Sequence, residues 1–297
     1  MSETASTIHD LGYKRYLGTR RPSSTRWRVI TRHQIATGWK TWWRYKAWLV
    51  CAVINTVVAA MFIFVATGKT FHLGHGLATT FADFALPFSI GMFNKIGFLI
   101  SLTIGAGVIA GDMQSGAFTF YFARSTRPGD YLLGKLAGYG LLIAIPTMGG
   151  PFLVACMRVG LAGYDNLSEL VPQLWLLPKA LAVGALSTLV YTAVPLGWSA
   201  MVSNKRYALG LWAGYYLIAG GVFTGIGMST DTPLAAGDLA ISLNSVAGYL
   251  FDTPIREKFM VGVTPALISI GVQAGLSIAL IWYQLTTAQK AGVGGAT

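Results

Sequence analysis

Six runs of mainly apolar residues, Ala47–Ala66, Phe88–Ala110, Tyr131–Met157, Ala180–Val202, Tyr207–Met228 and Val261–Leu285, constrain this chain more than any other feature. Each is long enough for a helix to cross the roughly 30 Å hydrocarbon core of a bilayer, which takes about 20 residues. None alternates with period two over about ten residues, as a barrel strand would, so the backbone polar groups must be satisfied inside helices. Composition agrees, with 54% hydrophobic and 11% charged residues against about 25% charged in a soluble domain. The expected fold is an all-α integral membrane protein with six transmembrane helices.

The net charge of +11 is unevenly placed, because residues 1–46 hold ten basic residues against Glu3 and Asp10. A basic cluster that ends at a hydrophobic run is explained by anionic lipid headgroups, and nucleic acid is not expected as a partner. With the amino terminus in the cytoplasm, that side also collects Arg124, Arg127, Lys135, Lys205, Arg206 and Lys290, while the other side receives Lys69, Arg158, Arg256 and Lys258. The positive-inside rule therefore places both termini in the cytoplasm, with residues 286–297 as a short tail. No cleavable signal peptide is expected ahead of the first run.

Within the basic segment, Ser24–Tyr45 interleaves Trp27, Val29, Ile30, Ile35, Trp39, Trp42 and Trp43 with Arg and Lys at partial helical spacing. It reads as an amphipathic interfacial helix, with a solvated basic tail as the alternative. Between the fifth and sixth runs, Leu239–Phe251 is too apolar for a plain loop and too short to cross, so Ser229–Met260 is expected to form a re-entrant or interfacial hairpin on the outer side. The pairs Gly134/Gly138, Gly210/Gly214 and Gly271/Gly275 have the spacing that lets helices approach closely.

No catalytic constellation is legible. Cys51 and Cys156 lie in apolar runs and read as small buried hydrophobes. His72 and His75 are weak metal candidates, because zinc and copper sites usually take three or four ligands and no metal site is expected from a pair. Gly68-Lys69-Thr70 mimics the end of a phosphate-binding loop but has Ile63 where the motif needs glycine, so the chain is not expected to hold ATP or another cofactor itself. Lys95 is the one ionisable residue well inside a run, and burying it costs roughly 2.5–3.5 kcal/mol unless it is paired, hydrated or snorkelled to the interface. Asn55, Asn94, Lys95, Thr103 and Gln273 are the polar candidates for a transport pathway; Asn55, Thr103 and Gln273 serve equally as hydrogen-bond glue between helices.

The segment GDMQSGAFTFYFARSTRPGDYLLGK, residues 111–135, joins the second and third runs. Gly111 is expected to end one helix and Asp112 to cap the next. Gln114, Ser115 and Gly116 then offer a small polar surface, and Phe118, Phe120, Tyr121 and Phe122 large rigid contact area, which makes a docking knob; an aromatic belt on the headgroups is the alternative.

Here the sequence resembles the permease subunits of type-two ABC transporters, the mainly exporting class. The resemblance lies in Asp112, Ser115-Gly116, Phe118 to Phe122, Pro128 and Gly134-Lys135, in the amino-terminal Asp10-Leu11-Gly12-Tyr13-Lys14-Arg15-Tyr16, and in the interfacial helix and re-entrant segment. The chain departs from the family pattern with Asp for the commoner Glu, Ala117 where Thr is frequent, and Arg124-Ser125-Thr126-Arg127 inserted before Pro128.

The resemblance implies a multi-pass subunit of the plasma (inner) membrane of a prokaryote, paired with a second permease copy or paralogue and with two separate ABC ATPase subunits that hold ATP and Mg. On that reading Gly111–Arg124 is the coupling helix, with Asp112, Met113, Gln114, Ser115, Gly116, Phe118 and Arg124 meeting the ATPase. The chain itself is then not an enzyme. An ATP-independent secondary transporter or channel is the alternative, with Lys95 as its main support; a membrane enzyme and a passive anchor are more remote.

Overall fold

The computed structural model describes residues 23–67, 75–123, 126–165, 167–252 and 261–294. Among them there is no strand, and six helices are long and apolar enough to cross a membrane. These are α2 (Trp42–Ala66), α3 (Phe84–Gln114), α5 (Pro128–Leu161), α6 (Leu170–Met201), α7 (Lys205–Thr230) and α9 (Val263–Lys290). Three shorter helices complete the bundle: α1 (Arg26–Lys40), α4 (Ala117–Ala123) and α8 (Leu239–Leu250). An all-α bundle of this kind fits a multi-pass membrane protein.

The amino-terminal helix is shorter than its Trp and Arg pattern predicts. At Thr41 the backbone turns extended (φ −87°, ψ 109°), and the Thr41 hydroxyl donates to the Gly38 carbonyl at 2.7 Å, which ends α1. Trp42, Trp43 and Tyr45 therefore belong to α2, which opens with a π-helical turn and starts five residues before the apolar run. Tyr45 is fully buried and donates to the Leu142 carbonyl at 2.9 Å.

α1 lies along the first half of α5, and glycine spacing explains how closely. A Cβ at Gly134 would stand 2.6 Å from Ile30 Cβ, and one at Gly138 would stand 2.8 Å from Gln34 Cβ. The pairs Gly210/Gly214 and Gly271/Gly275 have nothing within 4 Å among the described residues, so of the three expected close approaches one joins described elements of this chain.

α6 is the central helix, buried over most of its length and packed against α5, α9 and α3. α2, α7 and α9 keep broad apolar faces exposed, including Val53, Ile54, Met61, Leu217, Ile218, Ile268 and Leu276. Such faces suit contact with lipid or with another apolar chain. α3, α5 and α7 each contain one π-helical turn, at Ser101–Gly105, Ile145–Gly149 and Tyr215–Ala219. At the first of these, the missing side chain of Gly105 makes the space that the buried Tyr139 hydroxyl occupies.

The expected hairpin between the last two spans is, in its described part, a 3₁₀ turn (Pro233–Gly237) followed by the single helix α8. Asp238 caps α8, its carboxylate accepting from the Ala240 and Ile241 N–H groups at 2.8 and 3.3 Å. Residues 253–260 lie outside the described segments.

Candidate functional site

The site is built at the end of the bundle where α1, α4, the last turns of α3 and the first turns of α5 and α7 meet. α3 bends at Ala106–Gly107, then continues helically through Gly111 and Asp112 as far as Gln114. Gly111 therefore does not end a helix and Asp112 does not cap one, contrary to the expectation from sequence. The break falls at Gly116, whose φ of +67° lies in the left-handed region that favours glycine.

Local hydrogen bonds close this turn. Gly116 N–H donates to the Met113 carbonyl at 3.1 Å, Thr119 Oγ1 to the Gly116 carbonyl at 2.7 Å and Ser115 Oγ to the Asp112 carbonyl at 3.2 Å. Gln114, Ser115, Gly116, Thr119 and Phe120 are exposed, Phe120 at 73%. Phe118 faces inward, edge-on to Tyr131 with ring centroids 5.4 Å apart, while Met113 and Phe122 pack on the core. The turn is thus a knob with a polar and aromatic outer surface on an aromatic floor. Arg124 lies outside the described residues.

Beneath the knob is an ion pair that sequence reasoning missed. Lys135 Nζ stands 2.8 Å from Asp112 Oδ2, with side-chain exposures of 6% and 22%. Tyr131 donates its hydroxyl to the same carboxylate oxygen at 2.6 Å, and Lys135 Nζ donates to Gln34 Oε1 at 3.3 Å. The ammonium also sits 5.4 Å from the centre of the Tyr131 ring. α1, α3 and α5 are therefore tied together by one polar cluster, as buried charges require when they are to be tolerated. Burial, and secondarily the Asp112 carboxylate, pushes the Tyr121 phenol above its ordinary pKa and keeps it neutral.

Next to this cluster a cleft of about 240 Å³ opens between α1, α3 and the start of α7. His33, Thr37, Arg44, Thr103 and Lys205 are among its walls, with Asp112 and Lys135 also reaching it.

The five pathway candidates are not joined to one another by any hydrogen bond among the described residues. Asn55 Nδ2 donates to the Ser89 carbonyl at 3.1 Å and so links α2 to α3. Thr103 Oγ1 donates to the Arg44 carbonyl at 2.8 Å, at the α1 end of the bundle. Gln273 accepts from the Tyr215 hydroxyl and donates to the Gly237 carbonyl at 3.2 Å and Ser269 Oγ at 2.9 Å. Asn94 is buried with its Nδ2 unpartnered among the described residues, while the neighbouring Lys95 is exposed on α3. Of the metal candidates, His72 lies outside the described residues and His75 begins the helix His75–Ile100, which runs on into the span given as α3; no cluster of three or more His, Cys, Asp or Glu occurs among the described residues.

Compared with known protein families and with curated proteins, the chain matches no family model and no curated relative.

Proposed function

We propose that this chain is the transmembrane permease subunit of an ATP-driven ABC transporter of the exporting class. The observation that carries the reading is the knob at Gln114–Phe120: its outer surface is exposed, yet it is set on the Asp112–Lys135 pair, whose lysine is buried and leads into two other helices. A surface element that only floats on lipid needs no such brace. An element that receives force from a partner does, because a soft joint would dissipate the displacement.

On this reading the α1 end faces the cytoplasm, as the excess of Lys and Arg there favours. Two separate ATPase subunits hold ATP and Mg and seat the knob through Gln114, Ser115, Gly116 and Phe120. Closure of the ATPase pair moves the knob, and the Asp112–Lys135–Gln34 cluster carries that movement to α5 and α1 together. The ATPase states must contact two arrangements of the bundle with different free energies, or nothing is transmitted. A second permease copy or paralogue would cover one of the exposed apolar faces of α2, α7 or α9.

The test is ATPase turnover of the partner subunit, alone and co-expressed with this chain in lipid nanodiscs, together with the mass of the complex. The expected result is a complex of two permeases and two ATPases whose turnover is altered, and whose alteration is lost in Gly116→Trp. No association in lipid, or stimulation unchanged in that variant, would overturn the reading. The exposed Lys95 with no ion-pair partner among the described residues is the observation that favours the second reading, an ATP-independent transporter or channel.

A further inference from the structure

We propose that the cleft between α1, α3 and the start of α7 is a binding site for a phosphate-bearing anion, most simply the headgroup of an anionic lipid. This rests on the membrane reading of the six long helices and is independent of coupling to an ATPase.

The charge of the lining sets the sign of the ligand. Arg44, Lys205 and Lys135 are three basic side chains around one cavity, against the single carboxylate of Asp112. That carboxylate is already committed, holding Lys135 at 2.8 Å and the Tyr131 hydroxyl at 2.6 Å. Lys135 is committed in return, which leaves Arg44 and Lys205 with no ion-pair partner among the described residues. His33 adds an imidazole and Thr37 a hydroxyl with no hydrogen bond among the described residues. Arg44 and Lys205 are exposed residues lining a concave, partly enclosed site, and two uncompensated cations there raise the local potential for an anion more than the same charges would on a flat surface.

The backbone at Arg44 and the stem of Lys205 are also held in place. Thr103 Oγ1 donates to the Arg44 carbonyl at 2.8 Å and so fixes the backbone from which the guanidinium springs. The stem of Lys205 lies over Gly107, where a Cβ would stand 2.9 Å from its Cε. Only a residue without a side chain at the bend of α3 leaves that path into the cleft open. Lys205 is moreover the first residue of α7, so the helix end adds its own partial positive charge.

Shape and surroundings narrow the class. A volume of about 240 Å³ falls below the roughly 300–1,000 Å³ of sites for drug-sized ligands and holds a headgroup-sized one. Donors arriving from separate helices suit a tetrahedral oxyanion, and a guanidinium is suited to two of its oxygens at once. Close by, Trp39, Trp42 and Trp43 are exposed, and Lys46 lies 5.8 and 5.6 Å from the Trp39 and Trp42 rings. Exposed tryptophans with cationic neighbours are what a chain places at the depth of the headgroups. A lipid phosphate would thus reach the cleft without leaving its layer.

The experiment is native mass spectrometry of the full chain in detergent, titrated with phosphatidate or phosphatidylglycerol, with diacylglycerol of the same acyl chains as the phosphate-free control. The expected result is retention of the anionic lipids over diacylglycerol by tenfold or more, lost about tenfold or more in Arg44→Ala/Lys205→Ala, since a charge-assisted hydrogen bond contributes of the order of a factor of ten or more. The charge-keeping pair Arg44→Lys/Lys205→Arg should recover retention, and Lys290→Ala, an exposed cation elsewhere, should leave it unchanged. Inorganic phosphate is titrated in a second arm. Binding of phosphate through the same two residues, with displacement of the lipid, would support the site while making a soluble phosphate its source. Equal retention by wild type and the double Ala variant, or no preference over diacylglycerol, would overturn the proposal.

Discussion

The Asp112–Lys135 pair makes a quantitative prediction because its two partners are unequally buried. In Asp112→Leu the Lys135 ammonium, 6% exposed, keeps only Gln34 Oε1 at 3.3 Å and the face of Tyr131. Removing one partner of a buried pair costs about 3–5 kcal/mol. Asp112 is 22% exposed, so some water already screens the pair, and the lower end applies, about 3 kcal/mol. In Lys135→Met the carboxylate left behind retains the Tyr131 hydroxyl at 2.6 Å and some water, so that loss is smaller, about 2 kcal/mol. The double variant Asp112→Leu/Lys135→Met leaves no unpaired charge and should recover about 2 kcal/mol relative to the sum of the singles. Thermal unfolding in detergent reads this out, at roughly 2–4 °C of Tm per kcal/mol for a chain near this size. Single-variant losses that simply add in the double, to within about 0.5 kcal/mol, would refute the claim that the two groups act as one brace.

Six other substitutions probe the packing and the pathway. Gly134→Leu and Gly138→Leu should lift α1 from α5, because their side chains would run into Ile30 and Gln34, and trypsin should then cut at Arg28 and Arg32 several-fold faster; Gly210→Leu and Gly271→Leu, with open space around them, should leave the cutting rate unchanged. Gly116→Ala should cost about 1 kcal/mol through its positive φ although nothing crowds the position, which a small fall in Tm would register. Lys95→Cys should react with a membrane-impermeant thiol reagent if the exposed lysine borders water, and failure to label in intact vesicles from either side would remove it from the pathway.

Sequence periodicity made six long helices legible because a twenty-residue apolar run leaves a chain few other options in a bilayer. Its limits fell at the ends. The start of α2 was set by Thr41 turning extended, which no hydropathy average registers. From sequence the break in the knob is expected at Gly111, whereas it lies at Gly116, since both are glycines and only the tertiary fold shows which carries the positive φ. The pair beneath the knob was hidden for a different reason. Read from sequence, Asp112 suits a helix cap and Lys135 a cytoplasmic charge, and nothing local says that the 22 residues between them fold back to bring them together. One signal was available: a lysine two turns inside an apolar helix needs a partner, by the same reasoning that drew attention to Lys95. Gln34 and Arg44 could not be placed from sequence, because the basic segment offers many equivalent positions until the close approach at Gly134 and Gly138 selects a register for α1.

The central claim, that the Gln114–Phe120 knob docks into an ABC ATPase, is tested most directly by photocrosslinking from the site itself. A benzophenone amino acid placed at Phe120, which is 73% exposed, is irradiated in native membranes and the adduct identified by mass spectrometry. The account predicts a specific adduct with an ABC-type ATPase subunit, absent when the same probe replaces Leu217 on the apolar face of α7. Adducts with lipid alone, or with the same proteins from both positions, would contradict it.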